Sequence, residues 1–174
     1  MYAGGLHERY GLKKLTEAFM MLPQENFRLK LFGSGPFVEK LKTKYTKKDS
    51  RIQYMGVAPN AEVVAAELDA SLLVNPRPTH EEFTKYSFPS KNIEYMASGT
   101  PLLTTKLPGM PKEYYPYVFL IENESVEGYA KALESVLAQS DEELYVFGEK
   151  AKDFVLEKKN SFEQAKRVLE LIKL

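Results

Sequence analysis

The sequence predicts an α/β fold: a Rossmann-like, doubly wound parallel sheet of about six strands with a helical C-terminal tail. Short β-rich segments alternate with segments of helical apolar spacing over residues 1–121, which favours a parallel sheet covered on both faces. Glycine-bearing turns follow the first three predicted strands, and the last third of the chain is helical. The 174 residues fit one domain with a sizeable core, spanning residues 1–174.

The first half of the chain contains three strand–turn–helix units. Met1 to Ala3 is a very short first strand, directly followed by Gly4. Pro23 ends the first helix, and Pro36 stands where the second helix begins. The remaining predicted strands of this half are residues 27–32 and 52–55, and the predicted helices are residues 12–22, 36–45 and 61–68.

The second half begins with a nearly continuous apolar strand, residues 71–75, of the fully buried kind. A long loop follows at residues 76–89, and a connection of that length in a compact domain is usually functional or mobile. Ser140 and Ser161 stand at capping-box spacing from Glu143 and Gln164, which predicts two helix starts. Further strands are predicted at residues 102–105 and 118–121, and helices at 90–98, 126–137, from 140 and from 161.

Residues 87–101 carry the most informative pattern. Pro89 fixes an extended entry, Ser90 is expected to cap a helix, and Gly99 ends that helix after about two turns. Lys91 and Glu94 fall on one stripe, one turn apart. A lysine at a helix start and a carboxylate one turn later suit a ligand that carries both phosphate and hydroxyl groups, as a nucleotide sugar does.

Three glycine-bearing turns are candidates for contact with the same ligand: Gly4-Gly5, Gly33-Ser34-Gly35 and Gly56-Val57. Glycine lets the backbone approach a ligand closely, and helix N-termini beyond such turns attract anions. In a doubly wound sheet these turns gather at the carboxyl edge, where ligands bind. Each turn taken singly is better explained by backbone geometry, since strand-to-helix turns often need glycine.

These segments resemble the nucleotide-binding half of retaining glycosyltransferases of GT-B architecture, family 4. The run FPSKNIEYMASGTP, from Phe88 to Pro101, is similar to the family pattern F-P-S-K-x-x-E-Y-M-A-S-G-x-P. The resemblance extends almost end to end, through the strand-and-turn segments at residues 2–6, 31–36, 52–56 and 70–76. It implies one half of a GT-B fold, with an acceptor-binding domain expected before Met1.

The resemblance implies a role for each candidate residue. Gly4 and Gly5 are expected to face the diphosphate of the donor, and Gly33, Ser34, Gly35 and the Val57 backbone to flank the base. The Lys91 ammonium and the Ser90 amide are expected at the β-phosphate, with Lys91 as a catalytic cation and Arg9 as the candidate for a second one. Glu94 matches the second glutamate of the E-x7-E motif, which binds ribose. The donor is expected to be UDP- or GDP-linked, with no metal and no other cofactor.

The sequence also departs from the family pattern. Tyr86 stands where the first glutamate of E-x7-E would fall, and Glu81 or Glu82 are the alternatives for holding the sugar. Gly5 and Tyr10 replace the family's usual arginine and lysine near the first turn. Three nearby residues could supply the lost positive charge, and the sequence does not choose between them: Arg9, Lys13 and Arg77.

Composition sets further limits. The 24 basic and 24 acidic residues cancel, so no global field favours a nucleic-acid partner. With no cysteine, disulfides and thiolate metal sites are excluded, which is compatible with a cytoplasmic setting. By resemblance, the partners expected are a nucleotide sugar and a saccharide or lipid acceptor brought by the other domain, with peripheral association at the inner face of the membrane.

Two alternatives to the glycosyltransferase hypothesis stay open. One is half of a GT-B nucleotide-sugar epimerase, which would share the sheet without so close a match at residues 87–101. The other is a non-catalytic nucleotide-binding or regulatory doubly wound module, such as a flavodoxin-like receiver. A receiver needs an acidic cluster after its first strand, where this chain has Gly4-Gly5.

Overall fold

The computed structural model describes residues 1–172, and it confirms the predicted α/β architecture. All strand pairings are parallel. The six strands are β1 (Tyr2–Ala3), β2 (Leu29–Phe32), β3 (Ile52–Gly56), β4 (Leu73–Asn75), β5 (Leu102–Thr105) and β6 (Phe119–Ile121).

Helices connect the strands and form the tail. A π-helical segment, Leu41–Tyr45, joins α2 to α3, so these two short helices form one continuous element. The helices are α1 (Leu12–Met20), α2 (Phe37–Lys40), α3 (Thr46–Lys48), α4 (Asn60–Leu68), α5 (Ser90–Ser98), α6 (Val126–Leu137), α7 (Asp141–Lys158) and α8 (Ser161–Ile172). The long loop at residues 76–89 contains a 3₁₀ turn, Glu82–Lys85.

The strands form two triplets, β1-β2-β3 and β4-β5-β6, that meet between β1 and β4. The Met1 nitrogen donates to the Leu72 carbonyl at 2.7 Å, and the Val74 amide donates to the Met1 carbonyl at 2.9 Å. The spatial order is therefore β3-β2-β1-β4-β5-β6. This is a doubly wound order, with its switch point between β1 and β4.

The two faces of the sheet carry separate apolar cores, because successive strand residues point to opposite sides. Tyr2 and Val74 pack with α1 and α6 on one face, whereas Ala3 and Leu73 pack with α5 and α7 on the other. Each face thus buries its own helices.

Tyr95 fixes α5 to β1. The side chain is fully buried, and its hydroxyl accepts from the Ala3 amide at 2.8 Å and donates to the Ala3 carbonyl at 3.0 Å. Burial raises the pKa of Tyr95 well above its ordinary value, so the hydroxyl keeps its proton. Because Gly4 follows Ala3, the first glycine turn and α5 are held in a defined relation.

Two predicted caps are wrong in detail. Pro89 occupies the N-cap of α5, and Ser90 is the first helical residue, because the extended backbone required before the helix falls on the proline. At α8 the Asn160 side chain accepts from the Glu163 amide at 2.9 Å, in place of the predicted Ser161–Gln164 box. The Ser140–Glu143 capping box and the left-handed Gly99 cap are confirmed.

We expect Tyr95→Phe to lower the free energy of unfolding by about 2–4 kcal/mol, because it leaves two buried backbone groups of Ala3 without partners at about 1–3 kcal/mol each. Urea denaturation measures the change. The matched control is Tyr145→Phe, whose ring is exposed and whose loss of a hydroxyl should be nearly neutral. Equal stability of the two variants would contradict the role given to Tyr95.

Candidate functional site

The three glycine turns lie together at the carboxyl edge of β1, β2 and β3 and are joined by backbone hydrogen bonds. Gly4 donates to the Phe32 carbonyl at 3.0 Å, and Gly33 donates to the Gly56 carbonyl at 2.7 Å. Leu6 donates to the Ser34 carbonyl at 2.8 Å. The three turns at Gly4, Gly33 and Gly56 therefore form one continuous backbone surface.

Glycine is required where these turns touch. Gly33 has a positive φ of 125°, and a Cβ there would lie 1.9 Å from the Gly4 carbonyl oxygen. A side chain at this position would therefore separate the first two turns. Gly33 is thus explained by the packing of one turn on another, in agreement with the backbone-geometry explanation of these glycines.

Lys91 lies directly over the first turn. A Cβ placed on Gly4 would lie 2.7 Å from the Lys91 Cε atom and 3.0 Å from the Tyr2 hydroxyl. The side chain of Lys91 is 33% exposed, and its Nζ atom stands 3.8 Å from Glu94 Oε2. The lysine therefore crosses from α5 to the glycine turn, and its side chain remains partly exposed.

The other predicted residues of α5 and β3 border the same edge. Ser90 is exposed at the first turn of α5. The Glu94 side chain is 42% exposed, one turn further along α5. Val57 is exposed immediately after Gly56, whose carbonyl accepts from Gly33. Glu94 is thus free to accept hydrogen bonds from a ligand while its neighbour Lys91 faces the turn.

A buried amide pair anchors the start of α5, and sequence analysis missed it. Asn75, at the end of β4, donates from Nδ2 to the Oδ1 atom of Asn92 at 2.5 Å. Both side chains are buried, and the Asn75 carbonyl accepts from the Thr104 hydroxyl at 3.0 Å. Nothing in a single sequence distinguishes a buried asparagine at the start of a helix from an exposed one.

Arg9 and Arg77 meet the same two aromatic rings. The Arg77 guanidinium lies 4.9 Å from the centroid of Tyr10 and 5.4 Å from that of Phe83, and the Arg9 guanidinium lies 5.2 and 5.9 Å from them. Among residues 1–172, neither arginine has a carboxylate within 4.0 Å. Lys13 is exposed on α1. The two arginines therefore concentrate unpaired positive charge between the 3₁₀ turn Glu8–Tyr10 and the long loop.

Glu67 is a second residue that the sequence did not reveal, since a glutamate in the last turn of a helix usually faces solvent. It is 1% exposed, and its Oε1 atom is buried without a hydrogen-bond partner. Burial raises the pKa of Glu67, the charge of Glu94 raises it further, and the Lys91 ammonium lowers it. Glu67 therefore lies close enough to Lys91 and Glu94, on α5, for their charges to change its pKa.

The long loop is fixed by side-chain bonds to its surroundings. The Thr79 amide donates to Glu124 Oε1 at 3.1 Å, and the Tyr129 hydroxyl donates to the Pro76 carbonyl at 2.9 Å. Tyr86, at the position of the family's first glutamate, is 83% exposed. The carboxylate of Glu81 lies 3.9 Å from His80 Nε2, and both residues belong to the loop that precedes α5.

The described residues yield no further site of this kind. A cavity of about 440 Å³ opens at the opposite edge of the sheet, beside Met1, Leu29 and Leu72, away from the glycine turns. Within residues 1–172 no cluster of three or more histidine, aspartate or glutamate side chains could hold a metal ion. In the same range, the helices are all too short or too polar to cross a bilayer.

A doubly wound sheet with joined glycine turns at its carboxyl edge defines a Rossmann-like domain. Residues 1–172 match the sequence model of the family described as glycosyl transferases group 1. The chain belongs to this family.

Two solved structures illustrate the similarity in fold. The C-terminal domain of the group 1 glycosyl transferase LpcC from Francisella tularensis superposes with a TM-score of 0.75 at 20% identity, covering 92% of this chain and 85% of that one. Anabaena HepE, solved with UDP and glucose, gives a TM-score of 0.77 at 15% identity, covering 99% of this chain and 47% of that one.

Curated relatives are similar over part of the sequence. WcaL of Escherichia coli K12, assigned by name to colanic acid biosynthesis as a glycosyltransferase, is 30% identical over 112 residues, which is 62% of this chain and 27% of WcaL. The Salmonella typhimurium protein of the same name is 31% identical over the same length. The aligned part is thus about a quarter of the length of these relatives.

We expect Glu67→Met to raise the free energy of unfolding at pH 7 by about 1–3 kcal/mol, the usual cost of a buried polar group without a partner. The folded state raises the pKa of Glu67 above its ordinary 4.5. It therefore binds more protons than the unfolded state just above that pH, and the native chain loses stability as pH rises through this window.

Urea titrations of the native chain and of Glu67→Met across this range measure the effect. The advantage of the variant should be largest at neutral pH, shrink as the pH falls toward 4.5, and stay level below that pH. An exposed glutamate, Glu134, provides the control as Glu134→Met. An advantage of Glu67→Met that does not change with pH would refute the unpaired-carboxyl explanation.

Proposed function

We propose that this chain binds the nucleoside diphosphate portion of a sugar donor in a glycosyltransferase that transfers the sugar with retention of configuration. The observation that carries the proposal is the contact of Lys91 with the Gly4 turn, with Glu94 one helical turn behind it. A phosphate chain over the turn would meet an ammonium group, and the attached ribose would meet a carboxylate.

The first turn of α5 supports the phosphate assignment. Unpaired amides at the N-terminus of this nine-residue helix and the Lys91 ammonium all present positive charge to an anion. Departure of the diphosphate from the sugar develops negative charge on its oxygens. Groups that are already oriented toward that charge lower the barrier without reorganising, and the buried Tyr95 holds α5 in place for this purpose.

Glu94 is assigned to the ribose. An ionised carboxylate accepts hydrogen bonds from two vicinal hydroxyls, as acidic residues do in dinucleotide sites. The distance of 3.8 Å between Glu94 Oε2 and Lys91 Nζ marks a loose pair, so both groups can turn to a ligand at small cost. The base is proposed to lie by Gly33, Ser34, Gly35 and the exposed Val57.

We also propose the chemistry of the donor, the class of acceptor and the location of the enzyme. The donor is a UDP- or GDP-sugar, bound without a metal. HepE, which has a similar fold, was solved with UDP and glucose. The acceptor is a saccharide or lipid held by another domain, in keeping with the name of WcaL. Alone, these residues should bind nucleotide weakly and transfer nothing. We propose that the whole enzyme acts in the cytoplasm, at the inner face of the membrane.

We expect Glu94→Ala to weaken nucleoside diphosphate binding by about 1–3 kcal/mol, the value of a charged hydrogen bond. Isothermal titration calorimetry with UDP, GDP and ADP measures the loss. Glu134→Ala removes an exposed glutamate from α6 and should leave the affinity unchanged. Undiminished affinity in Glu94→Ala would count against the ribose contact.

Lys91→Ala should reduce affinity for the diphosphate much more than affinity for the nucleoside, because the ammonium interacts only with the phosphates. The measurement compares UDP with uridine, or GDP with guanosine, in the native chain and the variant. Lys131→Ala, an exposed lysine on α6, is the control. Equal losses for nucleotide and nucleoside would remove the phosphate contact from the proposal.

A further inference from the structure

We infer that Arg77 supplies the second cation of the diphosphate site and that Arg9, an exposed neighbour on the same rings, does not. This inference rests on the proposed function and names the residue that the sequence left open. Lys91 then provides one positive group from α5, and Arg77 provides the other from the long loop.

The two arginines differ first in their relation to Tyr2, beside the first glycine turn. Burial raises the pKa of Tyr2 to about 12, and the positive charge of Arg77 lowers that pKa in part, so the guanidinium lies within electrostatic reach of the phenol. The Tyr2 hydroxyl donates to the Gly5 carbonyl at 3.0 Å, and it lies 3.0 Å from the site of a Cβ on Gly4. Lys91 therefore contacts this turn directly, and the charge of Arg77 acts on a phenol that is hydrogen-bonded to the turn.

The backbone of Arg77 is also held in a fixed position. Pro76 precedes it and Pro78 follows it, which restricts the chain on both sides. The Arg77 carbonyl accepts from the Thr105 hydroxyl at 2.5 Å, and the Pro76 carbonyl accepts from Tyr129. Arg9 instead belongs to an exposed 3₁₀ turn, where its single side-chain bond, to the Tyr10 hydroxyl, is 3.4 Å long.

The charge of Arg77 is unpaired in the part of the chain that the structure describes. Its Nε atom is buried without a hydrogen-bond partner, and none of the carboxylates in residues 1–172 lies within 4.0 Å of its side chain. The guanidinium lies over the rings of Tyr10 and Phe83, an interaction that uses none of its N–H groups, so its terminal nitrogens remain for another group. A half-buried cation without a counter-charge costs stability. A planar guanidinium placed in this way suits the oxygens of a phosphate group.

The test measures binding of UDP, GDP and ADP, and of the matching nucleosides, by calorimetry on the native chain and on Arg77→Ala and Arg9→Ala. Arg77→Ala should lose about 10- to 100-fold in affinity for the preferred diphosphate, the range of a charged hydrogen bond, and keep its affinity for the nucleoside. Arg9→Ala should change either affinity by less than about threefold, as an exposed charge does.

A third variant keeps the test decisive if Arg77→Ala does not fold. Arg77→Lys retains the charge but loses the planar fork, so it should bind the diphosphate several-fold more weakly than the native chain. Native affinity in a folded Arg77→Ala, or in Arg77→Lys where the alanine variant is unfolded, overturns the inference. A loss in Arg9→Ala as large as that in Arg77→Ala does the same, and so does an equal loss for the nucleoside.

The outcomes separate this inference from the proposal beneath it. A native chain that binds a diphosphate, with Arg77 variants that bind it equally well, refutes only the role of Arg77. A native chain that binds none of the three diphosphates at millimolar concentration refutes the proposed function and the inference with it.

Discussion

The arrangement of the candidate site depends on one buried hydroxyl. Tyr95 bonds to both backbone groups of Ala3, the last residue of β1, in the core between α5 and the sheet. Because the Tyr95 hydroxyl bonds to the amide and the carbonyl of Ala3 at once, its position relative to β1 is narrowly restricted. The bonds therefore set the position of α5 relative to the turn at Gly4, and the side chain of Lys91, four residues before Tyr95, lies over that turn.

The glycine turns add a second constraint. Bonds between Gly4 and Phe32, and between Gly33 and Gly56, mean that no turn can move without disturbing its neighbour. The close approach of Gly33 to the Gly4 carbonyl excludes a side chain there. A backbone surface joined in this way is ordered before a ligand arrives, so little conformational entropy remains to be lost on binding.

Charge is distributed at this edge in a way that packing does not require. Glu67 is a buried acid with an unpartnered oxygen, and Arg77 is a cation with a buried, unpartnered nitrogen. An apolar residue at either position would cost the fold nothing in electrostatics. Unfavourable local choices of this kind occur in proteins at functional sites. Both residues lie near Lys91 or near the glycine turn, which agrees with a site that handles a charged ligand.

The sequence by itself determined the fold class, the family resemblance and nearly every element, because apolar periodicity and glycine or proline boundaries act over a few residues. Strand 102–105 and helix 126–137 match the structure in full. The cap of α5 was assigned one residue late, since a proline can take the N-cap backbone conformation without a capping side chain. Only the tertiary structure decided what lies over Gly4, that Glu67 is buried, and how Arg9 and Arg77 differ. These properties depend on residues distant along the chain, such as Gly4 and Lys91, and their spacing in sequence carries no information about contact in space.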